Sequence, residues 1–141
     1  MHKKELRDLK NRALAGIVME AAAERRLVTY REVNLALQDR LGIEPLGSFD
    51  LWHRLGALSA HMLELDLPMA SSIVVNEDND LQPGKAFVRW LVGERTGRDF
   101  DEVSEDVKRH LVADEQSETF QRSDEVKTAV RAWKIDIHAD S

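Results

Sequence analysis

LPMASSIVVNEDNDLQPGKAFVRW, residues 67–90, switches the chain from a helical period to an extended one and back. Ser71 to Val75 ends in three β-branched residues and reads as a strand. Asn76 to Asp80 is a turn by composition, because such side chains bond their own backbone and tolerate positive φ. Pro83-Gly84 makes a second sharp corner. Beyond it, Phe87, Trp90 and Leu91 read as a short helix packed on the core, with the end of a return strand as the other reading of residues 87–92.

Three helices precede this stretch. From Glu5 to Arg26, Leu6, Leu9, Ala13, Ile17 and Ala21 recur at steps of three and four, with Leu14 and Val18 beside them. Thr29-Tyr30-Arg31-Glu32 is a capping box that starts a second helix, carried by Val33, Leu37 and Leu41. Gly42 is a natural stop in the left-handed conformation. Ser48 is a suitable N-cap for a third helix over residues 49–65, striped by Leu51, Leu55, Leu58, Met62 and Leu65. Pro68 forbids its continuation. After Gly93–Gly97, residues 101–112 and 124–137 read as helices, with Ser123-Asp124 as a cap and residues 114–122 as a polar loop.

Helix, helix, helix and then a strand-turn return is the order of a winged-helix-like module. The expected fold is mainly α (α+β). Residues 1–92 form a winged-helix-like three-helix core with a short β-hairpin or wing. Residues 93–141 form an acidic C-terminal helical extension, which packs across the core or makes a homodimer.

Leu67-Pro68, Ser72-Ile73-Val74-Val75-Asn76, Pro83-Gly84-Lys85 and Phe87 resemble a pattern, LPxxSxIVVN…PGxxF, of small, mostly uncharacterised bacterial and phage-borne winged-helix-like proteins. Val28 to Val33 and Arg54 to Leu58 look like that family's second and third helices. The resemblance spans residues 10–92 and implies a fold, but no shared activity. Ala86 departs from the pattern, which has glycine there. That departure, with the acidic turn Glu77-Asp78-Asn79-Asp80, argues against a phosphate cradle at this corner.

Composition narrows the class. At 141 residues, with 43% hydrophobic and 33% charged side chains, the chain suits one domain with an appended tail. It has no cysteine, which excludes disulfides and thiolate-metal sites and fits a reducing cytoplasm. The polar residues Asp8, Lys10, Asn11 and Arg12 interrupt any signal-peptide core, and no run of about 18 apolar residues exists to span a membrane. Residues 1–46 carry 9 Lys/Arg against 7 Asp/Glu, residues 47–90 carry 3 against 6, and residues 91–141 carry 8 against 13. The acidic C-terminal half repels phosphate and suits a basic partner.

No catalytic or metal constellation emerges. His53 and His61 share a helix but lie about 80° apart around it, where a zinc pair needs spacing of three or four. The other histidines, His2, His110 and His138, are isolated in sequence. Asn76 to Asp80 lacks the calcium-loop register. Asp101-Glu102 and Asp114-Glu115 sit in polar segments with no sign of burial, which acid-base work requires. Asp50 with Arg54, and Glu105 with Arg109, have ion-pair spacing. The phosphate loops GxGxxG and GxxxxGK[ST] are absent.

The expected function is therefore non-enzymatic: a small cytoplasmic protein-interaction or inhibitor module, immunity or defence-related, without cofactor or metal. Its expected contacts to a basic protein are Trp133, Asp114, Glu115 and Glu118. Trp52, Trp90, Trp133, Phe49 and Phe100 are too many aromatics for a core of this size, and an exposed one beside acidic residues would anchor a partner. The alternative is a DNA-binding regulator. It would read bases from the third helix with His53 and Arg54 and touch phosphate with Arg31, Lys85 and Arg89, aided by basic residues of the first two helices.

Overall fold

The computed structural model describes residues 3–133. Among them are six α-helices and two short strands: α1 (Lys3–Ala23), β1 (Val28–Thr29), α2 (Tyr30–Leu41), α3 (Ser48–Glu64), β2 (Val74–Val75), α4 (Lys85–Thr96), α5 (Glu105–Gln121) and α6 (Ser123–Ala132). The chain is mainly helical, as expected, and among the described residues no helix is long and apolar enough to cross a membrane.

The capping box forms as read. The Thr29 hydroxyl accepts from the Glu32 N–H at 3.1 Å, and the Thr29 N–H donates to Glu32 at 3.0 Å. Gly42 closes α2 at φ 63°, where a side chain would be strained. Asn34 then fastens the following loop, donating to the Leu46 carbonyl and accepting from the Leu46 N–H. Ser48 is the first residue of α3 rather than its cap. Gly47 holds the N-cap position, and no side chain bonds there.

α1 is the central element. Its first half is amphipathic, but from Leu14 to Ala22 it is buried on several sides, against α2, α3 and α6. Leu9, read as part of the stripe, is left exposed. A single stripe describes a helix covered from one direction, and this one is covered from several.

The strand region differs most from the sequence reading. Ala70–Ile73 is a 3-10 turn, and only Val74 and Val75 are extended. They pair in parallel with Val28 and Thr29, so the sheet joins two distant segments rather than forming a hairpin. Of the expected wing only one antiparallel bridge remains, Asn76 to Gln82. The backbone is satisfied by side chains instead. The Ser71 N–H donates to Ser59 Oγ at 3.0 Å, and Gln116 donates to the Ser72 carbonyl at 3.0 Å. Every residue from Leu67 to Val75 is buried, and buried backbone groups must find partners somewhere. Residues 87–92 belong to α4, which settles the helix-or-strand ambiguity as helix.

The second half of the chain needs larger corrections. α5 begins at Glu105, capped by the Ser104 hydroxyl on the Val107 N–H, and runs through the expected loop at 114–122. Val107 faces solvent, while Lys108, Val112, Glu115 and Thr119 face inward. An inward stripe so polar has no hydrophobic period to detect. α6 starts at Ser123 without a side-chain cap bond. The expected continuation of this helix through 134–137 lies outside the described residues. Val126 and Ala129 of α6 join the same buried cluster as Leu14, Ile17, Ala21 and Leu58. Met69, Phe87, Leu91 and Val112 make a second, smaller cluster between α4 and α5.

Candidate functional site

α3 buries Leu51, Leu55, Leu58 and Met62 and turns Phe49, Trp52, His53, Gly56, Ala57 and Ala60 away from them. These residues meet α4 across an open groove. Two adjoining cavities make it up, one of about 520 Å³ and one of about 580 Å³. Trp52 and Tyr30 line both, so their rings divide the groove. The first cavity has Gly56, Ala57 and Ala60 of α3 on one side and Phe87 and Trp90 of α4 on the other. The second opens beside Phe49, Arg31 and Lys85.

Aromatic contacts order the walls. His53 packs edge-on between Phe49, at 4.2 Å between ring centroids, and Trp52, at 5.0 Å. Phe87 and Trp90 meet edge-to-face at 6.4 Å. Tyr30 bridges the groove's base by accepting the Gly84 N–H at 3.2 Å. Burial pushes the Tyr30 phenol above its usual pKa, and the Gly84 N–H only partly offsets this, so the ring keeps its O–H. Phe49 remains 74% exposed and Trp52 39% exposed. Single exposed apolar residues are ordinary, but two aromatics at the mouth of a concave apolar groove are the mark of a binding surface.

Gly56 sits in the interior of α3, and a Cβ added there would meet no atom within 4 Å. Gly56→Ala should therefore raise stability by about 0.5–1 kcal/mol through the backbone alone. Urea denaturation measures it, and a loss of stability would mean that the groove closes over this position.

Of the residues expected to read DNA, Arg31, His53 and Lys85 come to the groove, and Arg54 does not. Arg54 is turned inward. Its guanidinium donates to Asp50 at 2.8 Å, to Asn11 Oδ1 at 2.7 Å and to the Arg7 carbonyl at 3.3 Å. The expected Asp50–Arg54 ion pair thus forms within α3, and the bonds to Asn11 and Arg7 tie α3 to α1. Arg54→Ala should cost about 1–3 kcal/mol by stranding these acceptors. Unchanged denaturation would show that the network contributes nothing. Lys85, Arg89 and Lys108 surround the Phe100 ring at 5.6, 5.3 and 3.6 Å. His53 and Arg31 are exposed at the groove.

The residues expected to bind a basic protein also separate. Glu115 is buried, accepting from the Met69 N–H at 2.7 Å and from Arg95 at 2.6 and 2.9 Å. Asp114 and Glu118 are exposed on α5. Trp133 is half-buried and stacks on His61 at 5.5 Å, 17° from parallel. Glu105 pairs with Lys108 at 2.9 Å rather than with Arg109, whose nearest carboxylate is Asp80 at 3.9 Å. That hydrogen bond from Lys108 holds the Glu105 carboxyl below its usual pKa.

Among the described residues no group of three or more His, Asp or Glu is gathered closely enough to hold a metal ion. No protein-family model, curated protein or solved structure matches the chain.

Proposed function

We propose that this chain is a non-catalytic protein-binding module whose docking surface is the groove between α3 and α4. One observation carries the reading: Phe49 and Trp52 stand exposed at the mouth of two adjoining apolar cavities. Aromatic side chains on such a rim contribute large contact area at low entropic cost and act as anchors. An inhibitor-type role, in which the chain covers part of another protein, is compatible with this arrangement. The module is winged-helix-like. Support for that description comes from the order of α1, β1, α2 and α3, and from the strand that follows and returns to β1.

The groove displaces the acidic C-terminal helices as the favoured surface, because Glu115 is consumed by the fold and Trp133 leans on His61. It also outweighs a DNA reading, since Arg54, the strongest base-edge donor at the start of α3, is engaged inside the molecule.

The double variant Phe49→Ala/Trp52→Ala tests the proposal. Both side chains are at the surface, so the fold should be retained to within about 1 kcal/mol. A protein captured from the native host by the unaltered chain should be lost by the variant. Recovery of the same proteins by both would refute the groove as the docking surface. Anisotropy of labelled duplex DNA should show no salt-sensitive binding. Tight binding at low salt that collapses as salt rises would restore the regulator reading.

A further inference from the structure

Resting on the proposal that the α3–α4 groove binds protein, we infer that its occupant is an acidic amphipathic helix, because the groove has a low-bulk α3 wall, no free strand edge, and the cations Arg31 and Lys85 as its only formal charges.

The charge argument is one of contrast. The chain carries 26 Asp and Glu and a net charge of −6, yet no carboxylate lines either cavity. Arg31 and Lys85 are exposed on the rim, and neither is in an ion pair within the described residues. Lys85 leans on the Phe100 ring, at 5.6 Å, and feels the Glu105 carboxylate at longer range. Two cations outside any ion pair beside an apolar trough favour a ligand with apolar anchors and flanking carboxylates over a basic one.

The backbone argument concerns conformation. An extended peptide binds by adding to a free sheet edge. Here Val28, Thr29, Val74 and Val75 are all buried, so no edge faces the groove. Several of the polar side chains along it are already occupied. Asn34 holds Leu46, Ser71 pairs with Ser59, and Tyr30 accepts from Gly84. An extended chain would depend on scattered side chains such as Ser48 and Asn76 for its N–H and C=O bonds, whereas a helix carries its own. Gly56, Ala57 and Ala60 give the α3 wall little bulk, so a second helix can lie against it closely.

The test uses the full chain and a displayed library of helix-forming peptides with randomised surface positions. Selected sequences should carry large apolar residues at helical spacing together with Asp and Glu. They should bind Trp52→Ala roughly thirtyfold more weakly. They should also bind Gly56→Leu more weakly, since its Cβ has open space and the longer side chain would occupy the groove. Arg31→Glu with Lys85→Glu should weaken acidic peptides about tenfold, less so at high salt. Enrichment of basic or uncharged sequences that still require Trp52 would overturn the acidic partner and leave the groove proposal standing. Enrichment of proline-containing, non-helical sequences would overturn the helix. Selected peptides that bind both groove variants unimpaired, or no enrichment at all, would overturn both the inference and the reading beneath it.

Discussion

Glu115→Ala is expected to destabilise the protein by about 2–3 kcal/mol, enough to leave a marginal domain largely unfolded at elevated temperature. The carboxylate is 5% exposed and serves three donors. Its loss strands the N–H of Met69, a residue with no exposure, and leaves the Arg95 guanidinium without its partner. The Met69 N–H carries the larger penalty, because a buried donor without an acceptor forfeits its hydration for nothing, whereas the exposed Arg95 guanidinium can turn to water. The same pairing raises the Arg95 pKa, so Arg95 stays charged throughout any accessible pH range. Asp114→Ala and Glu118→Ala on the exposed side of the same helix should change stability by no more than about 0.5 kcal/mol. Chemical denaturation of the three variants separates the cases. A Glu115→Ala protein as stable as its neighbours' variants would show that the α4–α5 junction is held by apolar packing alone. Charge reversal of all three acidic residues to probe binding would thus measure unfolding at Glu115 before it measured association.

Val126→Asp is expected to cost about 4 kcal/mol or more and to unfold more than α6. Val126 has no exposure, and its cluster includes Leu14, Ile17 and Ala21 of the central helix and Leu58 of α3. A carboxylate placed there has no partner and must be neutralised or expelled. If the C-terminal helices formed an independent extension, the damage would stay local and the signal of α1 to α4 would persist. Hydrogen exchange of α1 amides distinguishes the outcomes. Protection retained from Leu14 to Ala22 in the variant would mean that the first 92 residues fold without α6.

Much of the helical framework was legible in the residues themselves. Thr29 and Glu32 form a reciprocal cap from local geometry alone, and Gly42 ends α2 because it accepts a left-handed backbone cheaply. The stripe Leu51, Leu55, Leu58, Met62 fixed the inward face of α3. Phe49 and Trp52 lie off that stripe, and an aromatic out of phase with its helix is the one sequence signal that pointed toward the groove. Nothing local could show that α4 would stand opposite with Phe87 and Trp90.

The failures share a cause as well. Ile73-Val74-Val75 has strand propensity, yet Ser59 and Gln116, distant in sequence, satisfy the turn before it and leave only two extended residues. The 114–122 segment looks like a loop because Glu115 and Thr119 are polar, and their partners Met69, Arg95 and Ser72 come from elsewhere in the chain. Local hydrogen bonds, backbone conformational limits and apolar spacing depend on residues a few positions apart, so the sequence by itself determined the first helices, their caps and their inward faces. Parallel pairing of β1 with β2, burial of Glu115, engagement of Arg54 and the basic, apolar character of the groove depend on segments tens of residues apart. Only the tertiary structure decided those, because the free energy of a polar or aromatic side chain is set by what it meets across the fold.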